Sequence, residues 1–328
     1  MDIAALTIEA QRLWPGETVP DAPLCFIDLA AETGSADQLR LPPCPVIGLG
    51  DPGHPLARQL DAVIEPPVSA AGLARQVLGK PLAAAVIVQL LRILPGMLPE
   101  DALTTESLAY GLLHGSAEHR AWIAARPHGV SDLRSAGEVS LAREDDRLVV
   151  TLDHPASGNA IDRAMRDALG EAFSMAALDA ELRRISLRGA GRTFSLGAEL
   201  TEFGTTSDPA TAHDIRTRTL AARALARCAD KLDVHVRGGC AGAGLEIAAW
   251  ARHFTAAPGA WFQLPELAMG ILPGAGGCVS VTRRIGRLRT ALMILSGKRI
   301  SARQALGWGL IDALVDQPPG DDGGTNQT

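Results

Sequence analysis

The hydrophobic positions change their rhythm along the chain. Near the N-terminus they form short runs bounded by Pro, Gly and Asp, at 24–29, 45–49 and 60–64, which predicts buried strands. Apolar residues then recur at helical spacing. Helices are predicted over 70–78 and 81–94, over 106–113 behind a cap at Thr104 or Thr105, and over 117–125. The stretch 127–137 is polar and broken by Pro127, Gly129 and Gly137, so a domain boundary is expected there.

Beyond it, 138–143 and 147–152 alternate around Glu144-Asp145-Asp146, which reads as a β-hairpin. A helix over 162–178 follows, then a strand over 182–187, and a long helix over 210–228 with Asp208 as cap and Pro209 in its first turn. Residues 232–236 alternate as a strand. Gly238, Gly239, Gly242 and Gly244 crowd the turn before an apolar helix starting near Leu245. A further strand at 260–263 ends in Leu264-Pro265-Glu266, and helices are predicted over 278–285 and 288–295.

The candidate chemistry lies in that glycine-rich region. Glu246 and Glu266 each follow a turn marked by Gly or Pro. Glycine permits positive φ and close backbone approach, and the free N–H groups of a helix start can hold an oxyanion. By itself, a glutamate in a first helical turn is most often a solvated residue favoured by the helix dipole. Other motifs are weaker. Gly48-x-Gly50-x-x-Gly53 follows a strand as a dinucleotide fingerprint would, but Pro52 and Pro55 crowd the place where a helix should open, and an ordinary tight turn is expected. Ser195 does not read as a nucleophile, because Thr193 stands where G-x-S-x-G requires glycine. His114 and His119 are five apart, off one helical face, and no metal site is expected. Trp250, Trp261 and Trp308 read as core or rim. Arg283, Arg284, Arg287 and Arg289 read either as contacts for a ligand's phosphates or as a solvated helix face.

Composition narrows the function classes. The 328 residues suffice for one large domain or two ordinary ones, and 47% hydrophobic with 21% charged residues is globular. A net charge of −6 argues against nucleic acid or an anionic membrane as the main partner. Five cysteines without C-x-x-C spacing suggest reduced thiols and a cytoplasmic location. No secretory signal is visible, and 82–94, interrupted by Gln89 and Arg92, is short of a membrane span.

Several separated segments resemble one family. GCAGAGLEIA (239–248), FQLPELAMGILPGAGG (262–277), HPASGNAI (154–161), GAGRTFSLGAEL (189–200) and SGKRISARQALGWGLI (296–311) occur in the order found in the crotonase superfamily, the enoyl-CoA hydratases and isomerases. The resemblance covers about 137–315. It implies an α/β fold of the crotonase type, a superhelix of ββα repeats, preceded here by a smaller α/β extension over 1–130 of unrecognised family. Residues 316–328 are expected to be a disordered tail.

The resemblance also implies roles. Glu246 would orient and activate water, and Glu266 would exchange the proton at C2 of a 2-enoyl-CoA. Backbone N–H groups of Ser195 and Ala243 would form the oxyanion hole, and Gly197, Ala198, Gly242 and Gly274 would touch substrate. Coenzyme A enters as part of the substrate, with no separate cofactor or metal, and a homo-oligomer, trimer or hexamer, is implied. Three positions depart from the pattern: Ala243 stands in place of the more common Gly, Glu199 replaces the usual Asp, and Glu202 stands where a basic residue is common. The family's helices beyond 315 are absent from this sequence, so the N-terminal extension or a partner subunit is expected to cover the pocket. An isomerase and a non-catalytic accessory subunit remain as alternatives.

Overall fold

The computed structural model describes residues 2–18, 20–33, 39–126 and 136–317. In the N-terminal third, β1 (Cys25–Asp28), β2 (Val46–Leu49) and β3 (Ala62–Val63) form a parallel sheet in that order. Alternation along β1 divides its side chains: Phe26 faces the main core, whereas Cys25 and Ile27 join a second cluster with Leu13, Val46 and Leu60. The Gly48–Gly53 turn leads into a short 3-10 turn, Pro55–Gln59, with no α-helix between it and β3. This is not the opening of a dinucleotide-binding unit.

Four helices follow: α1 (Ala70–Gly79), α2 (Pro81–Ile93), α3 (Pro99–His114) and α4 (Ala117–Ala124). Helix α3 starts seven residues earlier than the sequence suggests. Pro99 occupies the first helical position, Glu100 and Asp101 follow in the first turn, and Thr104 and Thr105 bond back to the carbonyls of Glu100 and Asp101 instead of capping.

The larger part of the chain supplies β4 (Glu138–Glu144), β5 (Arg147–Asp153), α5 (Arg163–Leu178), β6 (Arg184–Gly189), α6 (Pro209–Thr219), α7 (Ala221–Cys228), β7 (Leu232–Val236), β8 (Gly239–Ala241), α8 (Ala243–Ala248), β9 (His253–Ala256), β10 (Trp261–Gln263), α9 (Gly277–Ser296), β11 (Ile300–Ser301), α10 (Ala302–Trp308) and β12 (Ala313–Leu314). Six strands make one sheet, ordered β12-β9-β7-β6-β5-β4 and parallel except for the β4–β5 hairpin. A small sheet, β11-β10-β8, lies beside it. The long helix expected over 210–228 is two helices, because Leu220 is extended (φ −69°, ψ 128°). Conversely, 278–285 and 288–295 are the arms of a single element, α9, kinked at Gly286 with φ +79°.

The boundary expected over 127–137 and the tail expected over 316–328 lie mostly outside the described residues. On either side of 127–135 the packing is continuous. Ile87, Leu91 and Leu103 belong to the same core as Phe173, Leu225 and Leu292. Three arginines of α9 are taken up by structure: Arg284 pairs with Asp312, Arg287 with the buried Asp61, which also holds Arg92 at 2.6 Å, and Arg289 with Glu65 at 3.2 Å. Arg287 and Arg289 join the N-terminal third to α9, and Arg284 ties α9 to Asp312, so neither a phosphate site nor a solvated face describes them. Among the described residues no single helix is long and apolar enough to cross a membrane. The pair α1 and α2 would reach the length only with a 107° bend between them, and Ala83, Ala84, Ile87, Val88, Leu90 and Leu91 of α2 are buried in the core.

Candidate active site

The loop before α5 holds the site's scaffold through one side chain. Asn159, fully buried with φ +54°, accepts from the His154 N–H at 2.8 Å and donates to the carbonyls of Ala190, Thr193 and Phe194. It thereby fixes the segment from 190 to 198, which runs beside β8. Ser195 and Cys240 form a parallel bridge, and Ala241 N–H donates to Ser195 O at 2.9 Å. Counted on from that bridge, position 198 falls opposite position 243.

This juxtaposition opens on a cavity of about 730 Å³, walled by Gly197, Ala198, Gly242, Ala243, Glu246, Glu266 and Gly274 among others. Seven of the eight residues singled out from the sequence therefore meet on one wall. Ser195 does not. It is fully buried, its N–H donates to the Gly239 carbonyl at 3.2 Å, and its Oγ donates to the Asn159 carbonyl at 2.7 Å. An amide already bonded within a sheet is not available to a ligand, which corrects the expectation for Ser195. The N–H of Ala198, by contrast, donates to no group among the described residues. Nor does that of Ala243, which opens α8 and has no partner within the helix.

Glycine is required at the turn itself. Gly242 adopts φ +45°, and a Cβ there would stand 2.8 Å from Glu266 Oε1 and 3.5 Å from Gly197 Cα. The two carboxylates are thus brought to the wall by a backbone that side chains would block. Glu246 is held through Oε2, which accepts the N–H groups of Ala275 (2.5 Å) and Gly277 (2.8 Å). Burial pushes its pKa up to about 7, opposed by those two N–H groups and by the Arg216 guanidinium. Glu266 has an Oε2 that is buried without a hydrogen-bond partner among the described residues. Burial, and then the charge of Glu246, raise its pKa well above the usual carboxylate range. Both carboxyls of the pair are therefore harder to ionise than an ordinary glutamate.

The cavity is also lined by residues that sequence reasoning did not single out for the site. Tyr110 of α3 and Arg216 of α6 line it, with the guanidinium carbon 3.8 Å from the centre of the phenol ring. A Cβ on Gly274 would fall 2.4 Å from Tyr110 Cδ2 and 2.6 Å from Arg216 Nη2, so both press directly on the turn that holds Glu246. Arg216 Nε and Nη2 have no hydrogen-bond partner among the described residues. His114 also lines the cavity, its pKa lowered by burial and by Arg216. Glu199 and Glu202, two of the departures from the family pattern, line the cavity as well. Nothing in the local sequence around Tyr110 or Arg216 marks them as site residues.

Comparison with known proteins identifies the family. Residues 144–319 match the family described as enoyl-CoA hydratase/isomerase. The 2,3-dehydroadipyl-CoA hydratase of Escherichia coli (strain K12) is 34% identical over 174 residues, 53% of this chain and 68% of that protein. The carnitinyl-CoA dehydratase of Salmonella enteritidis PT4 (strain P125109) is 34% identical over 179 residues, 54% of this chain and 67% of that protein. Among solved structures, an enoyl-CoA hydratase/carnithine racemase from Magnetospirillum magneticum is similar with a TM-score of 0.51 and 27% identity, over 56% of this chain and 70% of that one. With the family match spanning more than half its length, this chain is a member of the enoyl-CoA hydratase/isomerase family, with a crotonase fold.

Proposed function

We propose that the protein adds water across the C2=C3 double bond of a 2-enoyl-CoA thioester. The observation that carries this reading is a pair of buried carboxylates, Glu246 and Glu266, sharing one cavity wall with two unbonded N–H groups, at Ala198 and Ala243. The thioester oxygen accepts from those two amides. Each such donor contributes roughly 3–4 kcal/mol where negative charge develops in the transition state. The acyl chain passes Gly197, Gly242 and Gly274, where the lack of side chains leaves room.

The protonation states then divide the work. Glu246, whose carboxylate is held by the N–H groups of Ala275 and Gly277, takes a proton from water as the water oxygen bonds to C3, and the π electrons move onto the enolate. Glu266, which holds its proton, delivers it to C2 as the enolate collapses. Atoms and charge balance: one water is consumed, and the proton left on Glu246 returns to Glu266 before the next turnover. The names of the relatives, a hydratase and a dehydratase acting on acyl-CoA, support the same reaction class.

The test is the loss of ultraviolet absorbance of a short and a long conjugated 2-enoyl-CoA. Wild type should remove the absorbance, and Glu266→Gln should do so about 10²–10⁴-fold more slowly, the usual contribution of a positioned acid. A wild type that binds the thioester without hydrating it would refute the proposal.

A further inference from the structure

Glu106 is a third buried carboxylate, and it comes from α3. It is 1% exposed and does not line the cavity, yet its Oε1 accepts the N–H of Gly276 at 2.8 Å. That amide lies between the two that Glu246 holds, Ala275 and Gly277. Three successive N–H groups of one turn are therefore shared between two carboxyl groups 140 positions apart in sequence (246 − 106). The turn cannot shift toward one without loosening its grip on the other.

We propose that Glu106 is a positioning residue of the active site: through the turn ending at Gly277 it aims Glu246 and sets how readily Glu246 ionises. This rests on the role given to Glu246 above. Helix α3 is fastened where this requires it, by Glu100 to Arg223 and Arg227 of α7, at 3.0 and 2.8 Å, and by Ser107 to His213 of α6 at 2.9 Å. The charged and titratable groups around Glu106 come from every neighbouring element. Glu246 on α8 and Glu266 at the end of the Leu264-Pro265-Glu266 segment oppose its ionisation or are opposed by it, Arg216 on α6 favours ionisation, Cys278 lies on α9, and Tyr110 is one turn along α3.

Burial, and then the charge of Glu246, push the Glu106 pKa up to about 8. The two acids repel each other when both are charged, so each ionisation hinders the other. A Glu106 that stays neutral leaves Glu246 free to ionise. One that ionises holds the proton on Glu246 and withdraws the base.

The side-chain δ-carbons of ¹³C-glutamate-labelled protein report this directly, without turnover. The resonance that disappears in Glu246→Gln is assigned to Glu246 and titrated in wild type, Glu106→Gln and Glu106→Met. Gln keeps the acceptor for Gly276 but can never compete for the proton, so the Glu246 midpoint should fall by about half a pH unit or more, as expected for strongly coupled sites. In parallel, the acid limb of kcat on a 2-enoyl-CoA should move down by the same amount with KM nearly unchanged. Met removes the acceptor, and kcat should drop at least about tenfold at every pH, the kind of loss that follows a small misplacement of a reacting group. An unchanged Glu246 midpoint in Glu106→Gln overturns the proposal, as does full activity in a folded Glu106→Met. If the midpoint moves but wild type hydrates nothing, the coupling stands and the hydratase reading falls.

Discussion

Replacing Glu246 by Gln should make the protein more stable at alkaline pH while removing its activity. The Gln carbonyl can accept the N–H groups of Ala275 and Gly277 in place of Oε2, so the turn keeps its partners. What changes is the proton. In the folded protein the Glu246 carboxyl titrates at about 7 against an ordinary value of 4.5. A raised carboxyl pKa means that the folded state holds a proton the unfolded chain has released, so stability is full below 4.5 and is lost as pH rises through 7. The difference, 7 − 4.5, corresponds to about 3 kcal/mol. Gln has no proton to lose. Urea unfolding at pH 5 and pH 9 should therefore show the variant gaining about 2–3 kcal/mol on the wild type between the two conditions. The gain should exceed this minimum to the extent that Glu106 and Glu266, both hindered by the charge of Glu246, also ionise more easily. A stability gap that is the same at both pH values, or a variant that is the weaker at pH 9, would refute the reasoning.

Three further outcomes follow from the geometry. Ala198→Pro deletes the N–H assigned to the thioester oxygen, and kcat should fall about 10²–10³-fold with little change in the melting temperature, since that amide has no partner among the described residues to lose. Gly242→Ala forces a side chain into φ +45° and within 2.8 Å of Glu266 Oε1; it should cost about 1–3 kcal/mol in unfolding experiments and lower activity as well. Arg216→Met removes the guanidinium that favours ionisation of Glu246 and Glu106, so the acid limb of the pH–rate profile should move to higher pH, and unchanged limbs would show that Arg216 acts only by packing.

Much of the site was legible in the sequence because its chemistry is carried by short-range backbone rules. Glycines before a helix mark a turn that needs φ > 0 and exposes amides, and Gly242 and α8 supply both. The strand at 232–236, the hairpin at 138–152 and the cap at Asp208 follow equally from alternation and capping. Both glutamates and the four small residues at 197, 198, 242 and 274 do reach one cavity.

The tertiary structure decided the rest. Spacing along a motif cannot say which amide a neighbouring strand consumes; the pairing with β8 uses the N–H of Ser195 and leaves that of Ala198 free. Nor can a helical pattern say what its buried polar residue touches. Glu106 reaches Gly276 across 170 positions, and Tyr110 meets Arg216 only because α3 packs on α6. Such contacts are set by how whole elements dock into one core, so the sequence by itself determined the two carboxylates and their turn. Packing determined which amides remain free to hold an anion, and brought the third carboxylate and the cation to the site.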